Sequence, residues 1–450
     1  MNLSRRHFLG QTGALTASAL AASLGRWGIE SAGAQALTDY KALVCVFLFG
    51  GNDSNNMVIP YDDYGSYAAV RTNVNIPQAQ LLQISPPRAG ATFGLHPNFA
   101  AVKELFDNGK LAVICNSGPL LAPITKADYQ AGNFRPSNLF SHNDQQSAWQ
   151  GLLEGMPVRS GWGGRMSDRI DAINAGATVP TVISAAGSTL MTQGLSVRPF
   201  VVPQTGGVTL TGAGTDTLGR LRADGVRRLL ASSSGNNIVD KAADVLDSAL
   251  TTADAINPIL NATSPAIATA FAGLNTGIAN QLKQVARVIE GRTVLGAKRQ
   301  FFFVSLGGFD NHANELFVQG GLLGELAPAL KAFYEATVAL GLSDKVTTFT
   351  MSDFSRTFVT NSTFGTDHAW GAHHLVLGGA VRGGDFYGKF PTLVVRGPDD
   401  AGNNGAWIPT TSVDQIGATL ATWLGVSSGD LDYIFPNLDR FATADLGFVS

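Results

Sequence analysis

Apolar residues run without a break through ALVCVFLF (42–49) and stop at Gly50 and Gly51. A continuous apolar run closed by glycines predicts a central parallel strand, covered on both faces. NFAAVKELFDNGK (98–110) places Phe99, Val102, Leu105 and Phe106 at helical spacing and stops at Gly109. LAVICNSG (111–118) predicts the next strand. Ser141 then stands as the N-cap of a helix over 142–153. RQFFFVSLGGFD (299–310) resumes the strand pattern, and a long helix follows over 315–341. Strands KVTTFTMS (345–352), LVLGGAV (375–381) and TLVVRG (392–397) come next, before a helix over 413–425. This rhythm predicts an α/β fold with a doubly wound, mostly parallel sheet. Such sheets gather ligands beyond the C-terminal ends of their strands.

The middle of the chain differs. Short strand-like pieces, VPTVIS (179–184) and RPFVVP (198–203), lead into a polar Gly/Thr stretch at 205–217. Residues 218–293 then read as Ala-rich amphipathic helices broken near Pro258 and Pro265. The whole of 205–296 is expected to be a helical insertion or cap on one domain spanning 37–450.

The N-terminus predicts an address. Arg5 and Arg6 precede an uncharged, Ala-rich apolar stretch from Leu9 to Gly25, except that small and hydroxyl residues keep it weakly hydrophobic. Ala34-Gln35-Ala36 follows as a small-x-small cleavage site. Residues 1–36 therefore read as a twin-arginine export signal. The expected route is export as a folded protein, by the twin-arginine translocase, to the periplasm or beyond. The stretch is shorter than the roughly 20 apolar residues of a comfortable membrane span, so no stable span is expected.

Of the 450 residues only 14% are charged, with a net charge of −3 and no basic block. Nucleic acid is an unsuitable partner for such a surface. The two cysteines, Cys45 and Cys115, both sit inside apolar runs and read as buried thiols on core strands, with a disulfide as the alternative that an oxidising periplasm permits.

The candidate chemistry collects in the C-terminal third. GGFDNH (307–312) holds Asp310 and His312, SDFSRT (352–357) holds Asp353, and GTDHAWGAHH (365–374) holds Asp367, His368, His373 and His374. Each adjoins a predicted strand, with the last group placed in a Gly-containing loop. Carboxylates mixed with neutral imidazoles suit zinc or manganese, with calcium or magnesium also open to the carboxylates. One or two divalent ions are expected. Asp53, directly after FLFGGN (47–52), is a metal ligand at a strand tip or a turn aspartate. Ser141 lies in the positive field of a helix N-terminus, which favours an alkoxide or a bound anion, and otherwise is an ordinary cap. Arg356 either grips a tetrahedral oxyanion or neutralises nearby aspartates. His142, Asp367 and His373 complete the expected substrate-side set.

FLFGGNDSNNMVIPYDDYGSY (47–67), GLHPNFAAVKELFDNGKLAVI (94–114), LFSHNDQQSAWQ (139–150), GWGGR (161–165), GGFDNHANE (307–315), MSDFSRT (351–357) and GTDH (365–368) together resemble a twin-arginine-exported family, domain of unknown function 1501. That family is grouped with the alkaline-phosphatase-like superfamily of phosphatases and sulfatases. The resemblance implies an alkaline-phosphatase-like fold and a two-metal site with a hydroxyl nucleophile. By position, Asp53 resembles the first metal aspartate, Ser141 the nucleophile, Asp310 with His312 an Asp–His ligand pair, Asp353 a further metal aspartate and His368 the last metal histidine. Two departures stand out. Only one residue separates Asp310 from His312 where the superfamily has three, and Phe354 follows Asp353 where it has histidine. The expected function is a metal-dependent hydrolase of small anionic phosphate or sulfate esters. The alternative is a catalytically degenerate envelope protein that binds an anionic ligand, glycan or protein partner.

Overall fold

The structure, a computed structural model, describes residues 39–152, 159–210, 212 and 216–450. The export-signal reading of residues 1–36 lies outside these. The strands among the described residues are β1 (Lys41–Leu48), β2 (Val58–Pro60), β3 (Leu82–Ile84), β4 (Phe93–Leu95), β5 (Leu111–Gly118), β6 (Val182–Ser184) and β7 (Phe200–Val201). They continue with β8 (Arg299–Leu306), β9 (Val346–Ser352), β10 (Arg356–Thr360), β11 (Thr366–His368), β12 (Ala372–Gly378), β13 (Phe386–Tyr387) and β14 (Thr411–Ser412).

Nine of them form one sheet in the order β13-β5-β12-β9-β1-β8-β6-β7, with β14 beside β5. β1 is its centre, parallel to β8 and to β9. Only β12 runs against its neighbours, antiparallel to both β5 and β9. The unbroken apolar run of β1 follows from this position. Ala42, Val44, Val46 and Leu48 feed the core on one face, and Leu43, Cys45 and Phe47 the core on the other.

Among the described residues the helices of eight or more residues are α1 (Ala100–Asp107), α2 (His142–Gly151), α3 (Trp162–Ile170), α4 (Thr217–Leu230), α5 (Asn237–Asn261), α6 (Gly277–Glu290), α7 (Glu315–Ala339) and α8 (Val413–Leu424). α1, α6, α7 and the second half of α5 cover the first face, through side chains such as Val102, Ile256, Leu282 and Leu330. α2, α3 and α8 cover the other, with Trp149, Trp162 and Leu420. The sheet is therefore doubly wound and mostly parallel, the α/β class that the periodicity predicts. Truncating a core residue such as Leu282 to Ala on such a face costs about 2–5 kcal/mol.

Two expectations are corrected. TLVVRG (392–397) is not a strand: Leu393 and Arg396 have φ of 52° and 66°, left-handed backbone that an extended run cannot contain. His373 and His374 are not in a loop, because β12 begins at Ala372: His374 pairs with Ile114 of β5, and His373 sits at the register shift between Ala372 and His374. Pro258 lies inside α5, which ends three residues later, whereas Pro265 opens the next short helix. Cys45 and Cys115 are free and buried, on opposite faces of the sheet.

Candidate metal centre

The glycines that close β1 bring three loops together. Gly50 has φ 112°, and a Cβ there would overlap the backbone of Phe309 and Asp310; at Gly51, φ 79°, it would overlap the ring of Phe354. Only glycine permits both the backbone shape and the close approach. The loops after β1, β8 and β9 thus meet at the C-terminal edge of the sheet, and the N-terminus of α2 closes over them.

Asp310 is the centre of this meeting. His142 Nε2 lies 3.4 Å, His312 Nε2 3.1 Å and His368 Nε2 3.3 Å from its Oδ1. His312 Nε2 and His368 Nε2 are themselves 3.0 Å apart. Each imidazole is held from behind. His142 Nδ1 donates to Asp353 Oδ2 at 2.7 Å, His312 Nδ1 to Asp367 Oδ1 at 3.0 Å and His368 Nδ1 to the Phe140 carbonyl at 2.7 Å. A carboxylate and a carbonyl only accept, so these bonds fix the proton on Nδ1 and turn the Nε2 lone pair toward Asp310. Three lone pairs converging on a carboxylate oxygen repel one another unless a cation lies among them. The buried Nε2 of His142 has no hydrogen-bond partner.

This donor set fits a divalent ion. His142, Asp310 and His368 each offer an atom within 4.8 Å of the other two. In tetrahedral zinc sites with bonds of about 2.0–2.1 Å, ligand atoms stand roughly 3.3–3.4 Å apart. The separations around Asp310 Oδ1, 3.1 to 3.4 Å, are of that size. Ligand imidazoles backed by carboxylates or carbonyls are the usual outer arrangement of such centres.

Arg356 supplies the fixed positive charge. Its Nη2 donates to Asp310 Oδ1 at 2.6 Å, to the Phe309 carbonyl at 3.1 Å and to the Gly50 carbonyl. Nε donates to the Gly51 carbonyl at 2.8 Å, and Nη1 to the Thr366 carbonyl at 3.3 Å. Its buried guanidinium is thus spent on protein acceptors, which matches the neutralising role and leaves little for an oxyanion. Burial pushes the Asp310 carboxyl up, but the Arg356 bond and charge, with His142 and His312, outweigh it and hold it at about 2. Burial, opposed by the Phe140 bond and reinforced by the Arg356 charge, keeps His368 below the ordinary histidine range. Both shifts favour the forms that bind metal.

The other expected residues separate into groups. Asp353 backs His142 and also accepts from Gln146 Nε2 at 2.8 Å and from the Gly50 amide at 3.2 Å. Phe354, where a histidine would give another ligand, packs its ring 4.8 Å from His142 and 4.6 Å from His368. Ser141 is the N-cap of α2 but makes no side-chain cap bond. It lines an open cleft of about 840 Å³ together with Tyr129, Arg135, Phe140 and Asp144, and none of the residues gathered on Asp310 is in that wall. His373 is buried away from the cluster, accepting the Asn116 amide at 3.0 Å and stacked on Phe390 at 4.7 Å.

Asp53 is not brought to the cluster. It is buried in an ion pair with Arg71, which also reaches Glu315 Oε1 at 3.1 Å, and its Oδ1 accepts twice from Asn55 at 3.0 and 3.1 Å. Burial and the Asp53 charge push the Glu315 carboxyl well up, against the pull of Arg71. Arg71 and Glu315 had no place in the sequence-level site. Arg71 lies beyond a short helix, 18 positions from Asp53, with no pattern that pairs them. The sequence sets His142 and Asp367 on the substrate side, whereas in the fold His142 turns its Nε2 toward Asp310 and Asp367 backs His312.

The mainly parallel sheet and the imidazole–carboxylate cluster at its C-terminal edge define an α/β protein with a candidate metal centre. The chain belongs to the family described as Protein of unknown function (DUF1501), which matches residues 40–431. Among solved structures it is similar to Ps i-CgsB, at 10% identity over 89% of this chain and 77% of that one, with a TM-score of 0.36. It is also similar to the PsFucS1 sulfatase from Pseudoalteromonas sp., at 10% identity over 90% of this chain and 70% of that one, with a TM-score of 0.33. No curated protein matches the chain.

Proposed function

We propose that this is an exported, metal-dependent hydrolase-like protein acting on phosphate or sulfate esters, built around one divalent ion. The observation that carries the reading is the set of three imidazoles, each tied at Nδ1, with Nε2 turned on Asp310 Oδ1. His142, Asp310 and His368 would hold the ion, with His312 beside them. Zinc or manganese suits this N/O set best. A bound divalent ion supplies Lewis acidity toward an ester oxygen. Asp353 and Asp367 keep His142 and His312 in the binding tautomer. Arg356 keeps Asp310 ionised. Ser141, at the positive end of the ten-residue α2, is the proposed nucleophile, and the cleft that it lines is where an anionic ester would enter. The twin arginines Arg5 and Arg6 support export, to the periplasm or outside the cell, in this reading.

A second reading has its own support. Phe354 replaces a ligand, and the Arg356 donors are occupied, so the site suits binding of an anionic ligand, glycan or protein partner without turnover. Hydrolysis of aryl phosphate and aryl sulfate by purified protein separates the two. The hydrolase reading expects turnover that Ser141→Ala and His142→Ala each abolish. Turnover that survives both variants, or none in metal-supplemented protein, rejects it.

A further inference from the structure

The sheet buries its own faces well, yet one part of the surface stays apolar. Of the 18 large apolar side chains left exposed among the described residues, seven fall between residues 217 and 246. Leu218, Leu221 and Leu229 follow one another at helical spacing along α4 and form a single stripe. Leu229 is 73% exposed. Gly225 completes the stripe, and a Cβ built there meets nothing within 4 Å. The inner face of α4 is used elsewhere: Ala223 and Arg227 line a cleft against Leu250 and Ala253 of α5. The leucine stripe therefore has no partner among the described residues. α5 adds to it, since its second half packs on the sheet core through Ile256 and Leu260, whereas Ile238, Val245 and Leu246 in the first half are exposed.

Charge selects the occupant. α4 carries Arg220, Arg222, Arg227 and Arg228 against Asp224, a net charge of 4 − 1 = +3, of which Arg227 is turned inward and paired with Asp254 of α5 at 2.7 Å. At 100° per residue, the charged positions nearest the leucine stripe are Arg222 and Arg228. On α5, residues 237–247 carry Lys241 against Asp240, Asp244 and Asp247, a net charge of 1 − 3 = −2; Lys241, bridged to Asp244 at 3.6 Å, is nearest the apolar side and the three aspartates fall behind it. An apolar stripe rimmed by cations would repel a second copy laid face to face. It matches a surface that offers hydrocarbon beneath negative charge, the arrangement of an interfacial amphipathic helix on an anionic bilayer. We infer that α4, with the start of α5, is a peripheral docking face for an anionic lipid surface. No helix among the described residues is long and apolar enough to cross a membrane, so the contact is one of lying on the bilayer.

Flotation of the full chain with vesicles tests this, using phosphatidylglycerol mixed into phosphatidylcholine against phosphatidylcholine alone. The expected result is binding to the anionic vesicles that falls as salt rises. Arg222→Glu with Arg228→Glu should weaken it about tenfold or more, and Leu221→Asp with Leu229→Asp should abolish it while circular dichroism stays unchanged. Equal binding to both vesicles, or binding that neither pair of substitutions alters, overturns the inference. So does a chain that ignores vesicles and sediments as a dimer through these leucines.

Discussion

Asp53 and Asp310 follow adjacent parallel strands, β1 and β8, and each has an arginine of its own. Their surroundings diverge. The Asp53 side chain is 1% exposed and closed in by Arg71, Glu315 and Asn55. The Asp310 side chain is 50% exposed, with one oxygen shared between Arg356 and three imidazole nitrogens. At the first, the cation is a buried guanidinium and the charges are settled within the protein. At the second, lone pairs outnumber the protons available to them. A strand-tip carboxylate becomes a metal-binding candidate through what its neighbours leave unsatisfied, and its position alone does not decide.

The largest expected effect breaks the closed site. Arg71→Met leaves Asp53 and Glu315 buried without their cation, and should cost about 3–5 kcal/mol in denaturant unfolding. A loss below about 1 kcal/mol would mean that the pair is solvated. The open site is sharpened by a gentler change. Asp353→Asn removes the carboxylate behind His142 and should weaken metal binding about 10–100-fold in a chelator competition, because outer partners orient ligands. An unchanged affinity would take His142 out of the centre.

Acid should act on the fold before it acts on Asp310. Burial, with the His373 charge adding for His374, lowers both His373 and His374 to about 3, far below an unfolded histidine. Both are neutral when folded and charged when unfolded. Their stabilising contribution is therefore complete above about pH 6.5 and lost as pH falls toward 3, at about 1.4 kcal/mol per pH unit for each. His374→Gln should remove one such increment from the slope of stability against pH. An identical slope would show that His374 is already protonated in the fold.

The smallest effect concerns Ser141. A working N-cap is worth about 1 kcal/mol, but this hydroxyl makes no cap bond. Ser141→Ala should thus change stability by less than about 0.5 kcal/mol, and a full cap-sized loss would give the serine a structural role.

These regions were unequally legible in the chain. β1, β8 and β9 could be read because burial on both faces demands continuous apolar residues. The 392–397 run misleads because Leu393 and Arg396 take left-handed backbone without a glycine to announce it. His373 and His374 looked like loop residues because polar side chains inside a central strand break its apolar run. Asp310 and His368 were visible at strand ends. The choice between Asp53 and Asp310 was not, since it depends on Arg71, which only the folded chain brings beside Asp53.

The most direct test is the metal content of the purified protein by elemental mass spectrometry, for wild type, His142→Ala, His368→Ala and Asp53→Asn. The account predicts one tightly held zinc or manganese ion per chain, lost in both histidine variants and kept in folded Asp53→Asn. Metal that survives both histidine changes, or that leaves only with Asp53, would contradict it.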